Sequence, residues 1–367
     1  VSYAAAIGAF LGFVVLIVLH EGGHFAAAKA VGMRVERFYL FFGRTPLRFR
    51  RGETEYGIGW LPAGGYVKIS GMNPDEDLPD EVRDRAYHAQ PVWKRVVVIA
   101  AGPAVNVVLA LVLLLFFFAV IGVGQTSDRV GAVEPGSPAA GVLRPGDQIV
   151  SVDGVRGGPE QFLVALGRHR CAGAQRDGCR AAEPATIVVE RGGREQTLSV
   201  RPVFDAKLRD ELGPRPRVGL RFAPGEREAL PFGQAVDRTL ELSWRITRET
   251  ATIPLKLADP VERAQISGVV GGYETTRQVI ITDLDLVVSI LALISLSLAL
   301  VNLFPFLPLD GGHIFWAIVE KVRGRPVPLW VMERASVVGI VLILILFSVG
   351  LTNDIGRLIS GEGFGVR

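Results

Sequence analysis

The chain has 367 residues, 49% of them hydrophobic and 21% charged, with a mean hydropathy of +0.34, and soluble domains carry about a quarter charged residues. That composition is a membrane protein's. Lys+Arg 40 against Asp+Glu 37 leaves a net charge of +3, which excludes the basic field that nucleic acid requires, and the abundance of apolar residues excludes extended disorder.

Four stretches lack Lys, Arg, Asp and Glu, or nearly so, over the roughly 17–25 residues that a membrane-crossing helix needs: residues 1–28, 96–123, 286–309 and 335–353. The first has no basic leader and no small-residue cleavage site, so a retained helix is expected rather than a signal peptide. Basic residues set the orientation. Lys29, Arg34, Arg37, Arg44, Arg48, Arg50 and Arg51 follow the first span, Lys94 and Arg95 precede the second, and Lys321, Arg323, Arg325 and Arg334 separate the third from the fourth. The long insertion is bordered by Asp128, Asp283 and Asp285 instead. The N-terminus, residues 125–285 and the C-terminus are expected outside, and residues 31–92 inside.

The first span contains His20-Glu21-Gly22-Gly23-His24. On a helix, residues i and i+4 share a face, so both imidazoles reach one ion while Glu21 stands beside it. Two nitrogens, one further ligand and an open position suit a catalytic zinc. Two histidines and a glutamate in an apolar span cost several kcal/mol unless they face a cavity or bind something, and the glycines add about 1 kcal/mol each against alanine.

Residues 55–69 read as two short strands around a Pro/Gly turn, a hairpin whose exposed edge can hold an extended peptide. In the insertion, Val130–Val133 reads as a strand, Gly136–Ala140 starts a short helix, residues 144–154 read turn, strand, turn, and Thr186–Glu190 with Gln196–Val200 form a hairpin. Cys171 and Cys179 lie in a polar stretch of it with seven residues between them, and on the oxidising side they are expected to pair. Within residues 231–257, Phe232, Val236, Leu240 and Trp244 recur every four positions. An amphipathic helix follows, lying either on the outer leaflet or under the inserted domain.

Asp310 ends the third apolar run, Asn302-Leu303-Phe304-Pro305-Phe306-Leu307-Pro308-Leu309-Asp310-Gly311-Gly312. Counting along helices that enter from the same side places His20 and Asp310 both in the cytosolic half. Pro305 and Pro308 break the helix, and the freed backbone is tolerable only beside protein or a cavity. Asp310 is the expected third ligand. His313 is its rival, three residues further on.

These motifs together resemble the site-2 protease family of intramembrane zinc metalloproteases. Gly64-Gly65-Tyr66-Val67-Lys68-Ile69-Ser70-Gly71-Met72 and Ala101-Gly102-Pro103-Ala104-Val105-Asn106 extend the likeness over nearly the whole chain. It departs at Leu307, where a second proline is common, and at Gly268-Val269-Val270-Gly271, where Gly-Pro-x-Gly is usual. The resemblance implies one Zn2+ held by His20, His24 and Asp310, with Glu21 as general base and Asn302 positioning substrate. It gives Gly64–Val67 to a membrane-re-entrant hairpin that binds the unwound peptide. It also implies an extracytoplasmic α+β domain like the circularly permuted PDZ of bacterial proteases, with Gly219 and Leu220 in the carboxylate-binding loop.

The expected fold is a polytopic α-helical membrane protein with four transmembrane helices, a membrane-associated β-hairpin and that PDZ-like domain. Its divisions are 1–124, with the hairpin at about 55–70, then 125–225 for the PDZ, 226–285 for an amphipathic membrane-surface segment, and 286–367. Expected substrates are membrane-anchored proteins in the bacterial plasma membrane: anti-sigma factors or signal-peptide remnants after a first cut. The insertion is expected to limit access and do no chemistry. A zinc transporter has no use for a general base at Glu21, and a silent PDZ scaffold has none for an intact ligand set.

Overall fold

The computed structural model describes residues 3–360 except 74–75, 207, 209–212, 258, 265, 267, 269, 275 and 277–284. Helix α1 (Tyr3–Ala30) leads into strands β1 (Val35–Phe42), β2 (Leu47–Arg51), β3 (Thr54–Ile58) and β4 (Leu61–Ile69). Helix α2 (Val92–Phe116) runs on as a π-helical turn over Phe117–Ile121. Then come β5 (Val123–Val133), β6 (Gln148–Val152), β7 (Val155–Arg156), helix α3 (Pro159–Gly167), β8 (Ala185–Arg191), β9 (Arg194–Val200), β10 (Val203–Asp205), β11 (Arg215–Arg217) and β12 (Leu220–Glu228). Helices α4 (Phe232–Ala251), α5 (Leu286–Asn302), α6 (Asp310–Arg323) and α7 (Leu329–Ser360) follow. Two compact units result: Val1–Ala119 with Pro231–Arg367, and Val120–Leu230.

Among the described residues, three helices are long and apolar enough to cross a membrane, over Phe10–Ala30, Val92–Ile121 and Leu329–Ser360. Helix α5 is apolar but has 17 residues, about 26 Å at 1.5 Å each against a hydrocarbon core of roughly 30 Å. The single span expected over 286–309 therefore ends early, at Asn302. The turn that follows is held by Phe304 N–H to Val301 C=O at 3.1 Å and Leu309 N–H to Phe306 C=O at 2.9 Å. Pro305 and Pro308 lack the amide that would continue α5. Asp310 consequently opens a new helix rather than closing the old one.

The hairpin expected at 55–70 is not formed. Both strands exist, but β1 lies between them in a sheet of order β2-β3-β1-β4. Strand β3 runs parallel to β1 and β4 antiparallel to it. The link Gly59-Trp60 crosses the end of β1, with Gly59 N–H donating to Leu40 C=O at 2.8 Å. Phe38 of β1 and Tyr56 of β3 both pack on Phe25 of α1, at ring distances of 5.4 and 5.9 Å. That shared aromatic contact draws β1 against β3, which a local turn signal does not reveal. Strand β4 is left at a sheet edge.

Helix α4 packs on α2 and α5. It buries the small row Ala235, Thr239 and Ser243 and leaves Phe232, Leu240 and Trp244 exposed. Its packing partners are helices of its own unit, a contact that neither alternative read from the sequence named. In the segment after it, Asp354 of α7 accepts the amides of Gly268 and Gly271 at 3.0 and 2.7 Å. Of the expected 226–285 segment, residues 258, 265, 267, 269, 275 and 277–284 lie outside the described residues.

The second unit is a sheet of order β12-β5-β6-β8-β9, with β7 beside β6 and α3 packed on it. Its core joins Val130, Ile149, Val152, Phe162, Leu166, Ile187 and Val189. Cys171 and Cys179 are joined as a disulfide, their Cα atoms 6.1 Å apart, and the loop is tied to β10 by Gly178 N–H to Phe204 C=O at 2.8 Å. Asp147, buried, takes a two-pronged bond from Arg191 at 2.7 Å on each oxygen. Arg191 also holds the Asp147 carboxyl below its ordinary range, so its stabilisation is complete above the unfolded value near 4 and is lost as the pH falls through the depressed folded one. Arg191→Ala should leave the buried carboxylate without its two-pronged ion-pair partner, held by the Arg144 amide at 2.8 Å, and cost this unit about 3 kcal/mol at neutral pH. Faster amide exchange in β8, converging with wild type as the pH falls, is the check.

Candidate metal centre

In α1 the four-residue spacing sets His20 above His24 on one face, 6% and 7% exposed, with their rings 4.9 Å apart. His24 Nδ1 lies 2.9 Å from the Val98 carbonyl oxygen of α2, so it carries the proton and donates, and Nε2 keeps its lone pair. Asp310 begins α6, where the positive end of the helix dipole favours a carboxylate. Gly312 lets α6 start close against the preceding turn, since a side chain there would meet the Leu307 amide at 2.5 Å.

The three side chains converge. His20 Nε2, His24 Nε2 and Asp310 Oδ2 stand 3.3 Å from one another. Three donors at that separation form one face of a tetrahedron whose centre lies about 2.0 Å from each, the distance zinc keeps to imidazole nitrogen and carboxylate oxygen. Asp310 Oδ2 is buried without a hydrogen-bond donor among the described residues. Electron pairs packed this way repel unless a cation lies among them, so the donor set fits a metal. Three protein ligands leave one direction open to water or substrate, as in catalytic rather than structural sites.

Helix α2 makes the approach possible by what it lacks. A side chain on Gly102 would collide with the His24 ring at Nε2, Cε1 and Cδ2, and one on Gly23 would come 2.6 Å from the Ala101 carbonyl oxygen. Val98 was not singled out in the sequence, and Gly102 only as part of a resemblance. The available signal was a glycine in an otherwise apolar helix, which marks a close approach without naming its partner.

Glu21, Asn302 and Gly64, Gly65, Tyr66 and Val67 of β4 line one cavity of 790 Å³ with His20, His24 and Asp310. Gly65 packs close to the Glu21 side chain, and the Val67 amide faces its carboxylate. Every residue assigned to this site from sequence is thus at the cavity. His313 belongs neither to the triad nor to the cavity lining. Gly219, Leu220, Cys171 and Cys179 are in the other unit. There the Gly219 carbonyl accepts Glu134 N–H at 2.9 Å, and Leu220 opens the edge strand β12.

A buried His-His-Asp triad with a carboxylate beside it, both histidines on a helix long and apolar enough to cross a membrane, is the constellation of a metallohydrolase. A family model described as peptidase family M50 matches residues 8–346, and the chain belongs to that family, the site-2 proteases. It is a metalloprotease of the membrane. Metalloprotease MmpA of Caulobacter vibrioides is 31% identical over 387 residues, covering 94% of this chain and 93% of that protein. Zinc metalloprotease Rip1 of Mycobacterium tuberculosis is 30% identical over 357 residues, 85% of each.

Proposed function

We propose that this chain is an intramembrane zinc endopeptidase that cuts membrane-anchored proteins within or beside a transmembrane segment after an earlier cut has trimmed them. Anti-sigma factors and signal-peptide remnants are the substrate classes. The observation that carries the reading is that the 3.3 Å triad of His20, His24 and Asp310 opens on the same cavity as the free edge strand β4.

His20, His24 and Asp310 would hold zinc, which would supply a Lewis acid for the scissile carbonyl and for the attacking water. Glu21 takes the proton of the attacking water and returns it to the departing amine nitrogen. A helical substrate shields its carbonyls by hydrogen bonding, so it has to be unwound first. Gly64–Val67 offer backbone groups to an extended peptide by strand addition, and Asn302 holds the peptide from α5. The burial of His20 and His24 limits the water that reaches the site.

The chain crosses the bacterial plasma membrane four times, α5 together with the turn after it making the third crossing. Its termini and the Val120–Leu230 unit are outside, and the site is in the cytosolic half. That unit is a PDZ domain whose edge strand β12, entered through Gly219 and Leu220, takes a peptide C-terminus. None of its described residues lines the cavity, which supports a part in access rather than in chemistry. Phe232, Leu240 and Trp244 of α4 meet the outer leaflet.

With purified protein in detergent, wild type should cut a trimmed transmembrane substrate and Glu21→Gln should not. An uncut substrate with fully zinc-loaded wild type would remove the proposal. Comparing membrane proteomes of cells carrying the two forms then names the substrates. In intact cells, a membrane-impermeant thiol reagent should label Cys171 and Cys179 only after reduction. Labelling without reduction would dismiss the oxidised pair, and labelling only after lysis would reverse the topology.

A further inference from the structure

Two of the three proposed ligands depend on α2. His24 leans on it through Val98 and Gly102, and α6, which carries Asp310, finds its most extensive packing there. One turn before Val98, Arg95 is 7% exposed. Its guanidinium grips Glu320 of α6 with both prongs, Nη1 to Oε2 at 2.9 Å and Nη2 to Oε1 at 2.6 Å. The Tyr87 ring lies 5.9 Å from it. Neither residue lines the cavity or belongs to the group of converging donors.

A buried ion pair is a poor source of net stability, because desolvation offsets its attraction, but a two-pronged one admits a single geometry. Helix α6 is fixed at its start by the turn after Asn302 and along its face by packing on α2, and the two-pronged pair adds a directional clamp toward its far end. Side chains project about 5–6 Å from a helix axis, so a twist of about 20° would move the Asp310 carboxylate by about 2 Å. That exceeds what a ligand triangle of 3.3 Å edges tolerates.

We propose that Arg95 and Glu320 are positioning residues that set the rotation and depth of Asp310, and so the zinc affinity of the centre. This rests on the zinc reading above.

Full-length protein in detergent tests it with Glu320→Asp, which keeps the charge and shortens the reach by one methylene, and Arg95→Lys, which keeps the charge and removes the fork. Zinc affinity by chelator competition, the visible spectrum of the cobalt(II)-substituted protein and the melting temperature are measured for each. Both variants should bind zinc about 10- to 100-fold more weakly, the range found for groups that orient metal ligands, and should lose the intense cobalt bands of a tetrahedral site. Wild-type affinity with an unchanged cobalt spectrum in Glu320→Asp would overturn the proposal, whatever the melting temperature did. Asp310→Asn is the control. If wild type and Asp310→Asn hold zinc equally, the metal assignment itself fails, which is a different outcome from loss in Asp310→Asn and none in Glu320→Asp.

Discussion

Asp310→Ala should purify with less than one zinc per chain and no protease activity, whereas Glu21→Gln should keep its full zinc and lose cleavage alone. The contrast follows from geometry. Asp310 Oδ2 completes the triangle with the two imidazoles at 3.3 Å, and its loss leaves two ligands that cannot hold a tetrahedral ion firmly. Glu21 lines the cavity but is outside the group of converging donor atoms. The side-chain amide introduced by Glu21→Gln would occupy the same space without accepting a proton. Removing a general base typically costs 10²–10⁴-fold in rate, so residual activity of Glu21→Gln should fall by roughly that factor at unchanged zinc content. Metal analysis paired with a cleavage assay makes the check. Undiminished zinc in Asp310→Ala would withdraw that residue from the ligand set.

Gly102→Ala should be the most damaging small change outside the ligands. Helix propensity alone predicts a gain of about 1 kcal/mol for glycine to alanine in a helix interior. Here the added methyl would enter the His24 ring. The ring has no easy retreat, since Nδ1 is anchored to Val98 at 2.9 Å and Gly23 already brings α1 against the Ala101 carbonyl. A displacement of about 1 Å at a reacting centre can cost on the order of 100-fold in rate. Overpacking of about 1–3 kcal/mol offsets that propensity gain, so the expected result is a protein that melts no later than wild type, binds zinc weakly and turns over at least about 100-fold more slowly. Gly22→Ala, whose methyl meets nothing within 4 Å, is the matched control and should retain its zinc. Wild-type turnover in Gly102→Ala would mean that α1 and α2 do not approach as closely as drawn.

How much of this was legible beforehand depends on the range of the interaction responsible. His20, Glu21 and His24 are related by one turn of a single helix, and a titratable cluster in an apolar span advertises itself by its cost. Asp310 was found for the same reason, as a polar residue at the end of an apolar run, Asn302 came from the family resemblance alone, and β4 was visible as a strand. All of them reached the cavity.

Strand order was not legible, because β3 and β4 are separated only by Gly59-Trp60 and nothing local signals that β1 inserts between them. The face buried by α4 was also hidden. Its large residues repeat every four positions and suggest the packed side, yet α2 and α5 take the small row Ala235, Thr239 and Ser243, which lets backbones come closer.

From its sequence alone, then, the chain determined its membrane nature, its candidate ligands and the chemistry those residues suit, since composition, spacing within a helix and polar residues at the ends of apolar runs carry that information. Only the tertiary structure decided what aims them. The Val98 carbonyl, the bare face of Gly102, the restart of the helix at Asp310 and the grip of Arg95 on Glu320 each join residues far apart in the chain. Their partners are chosen by packing between helices, which leaves no periodic trace in any one of them.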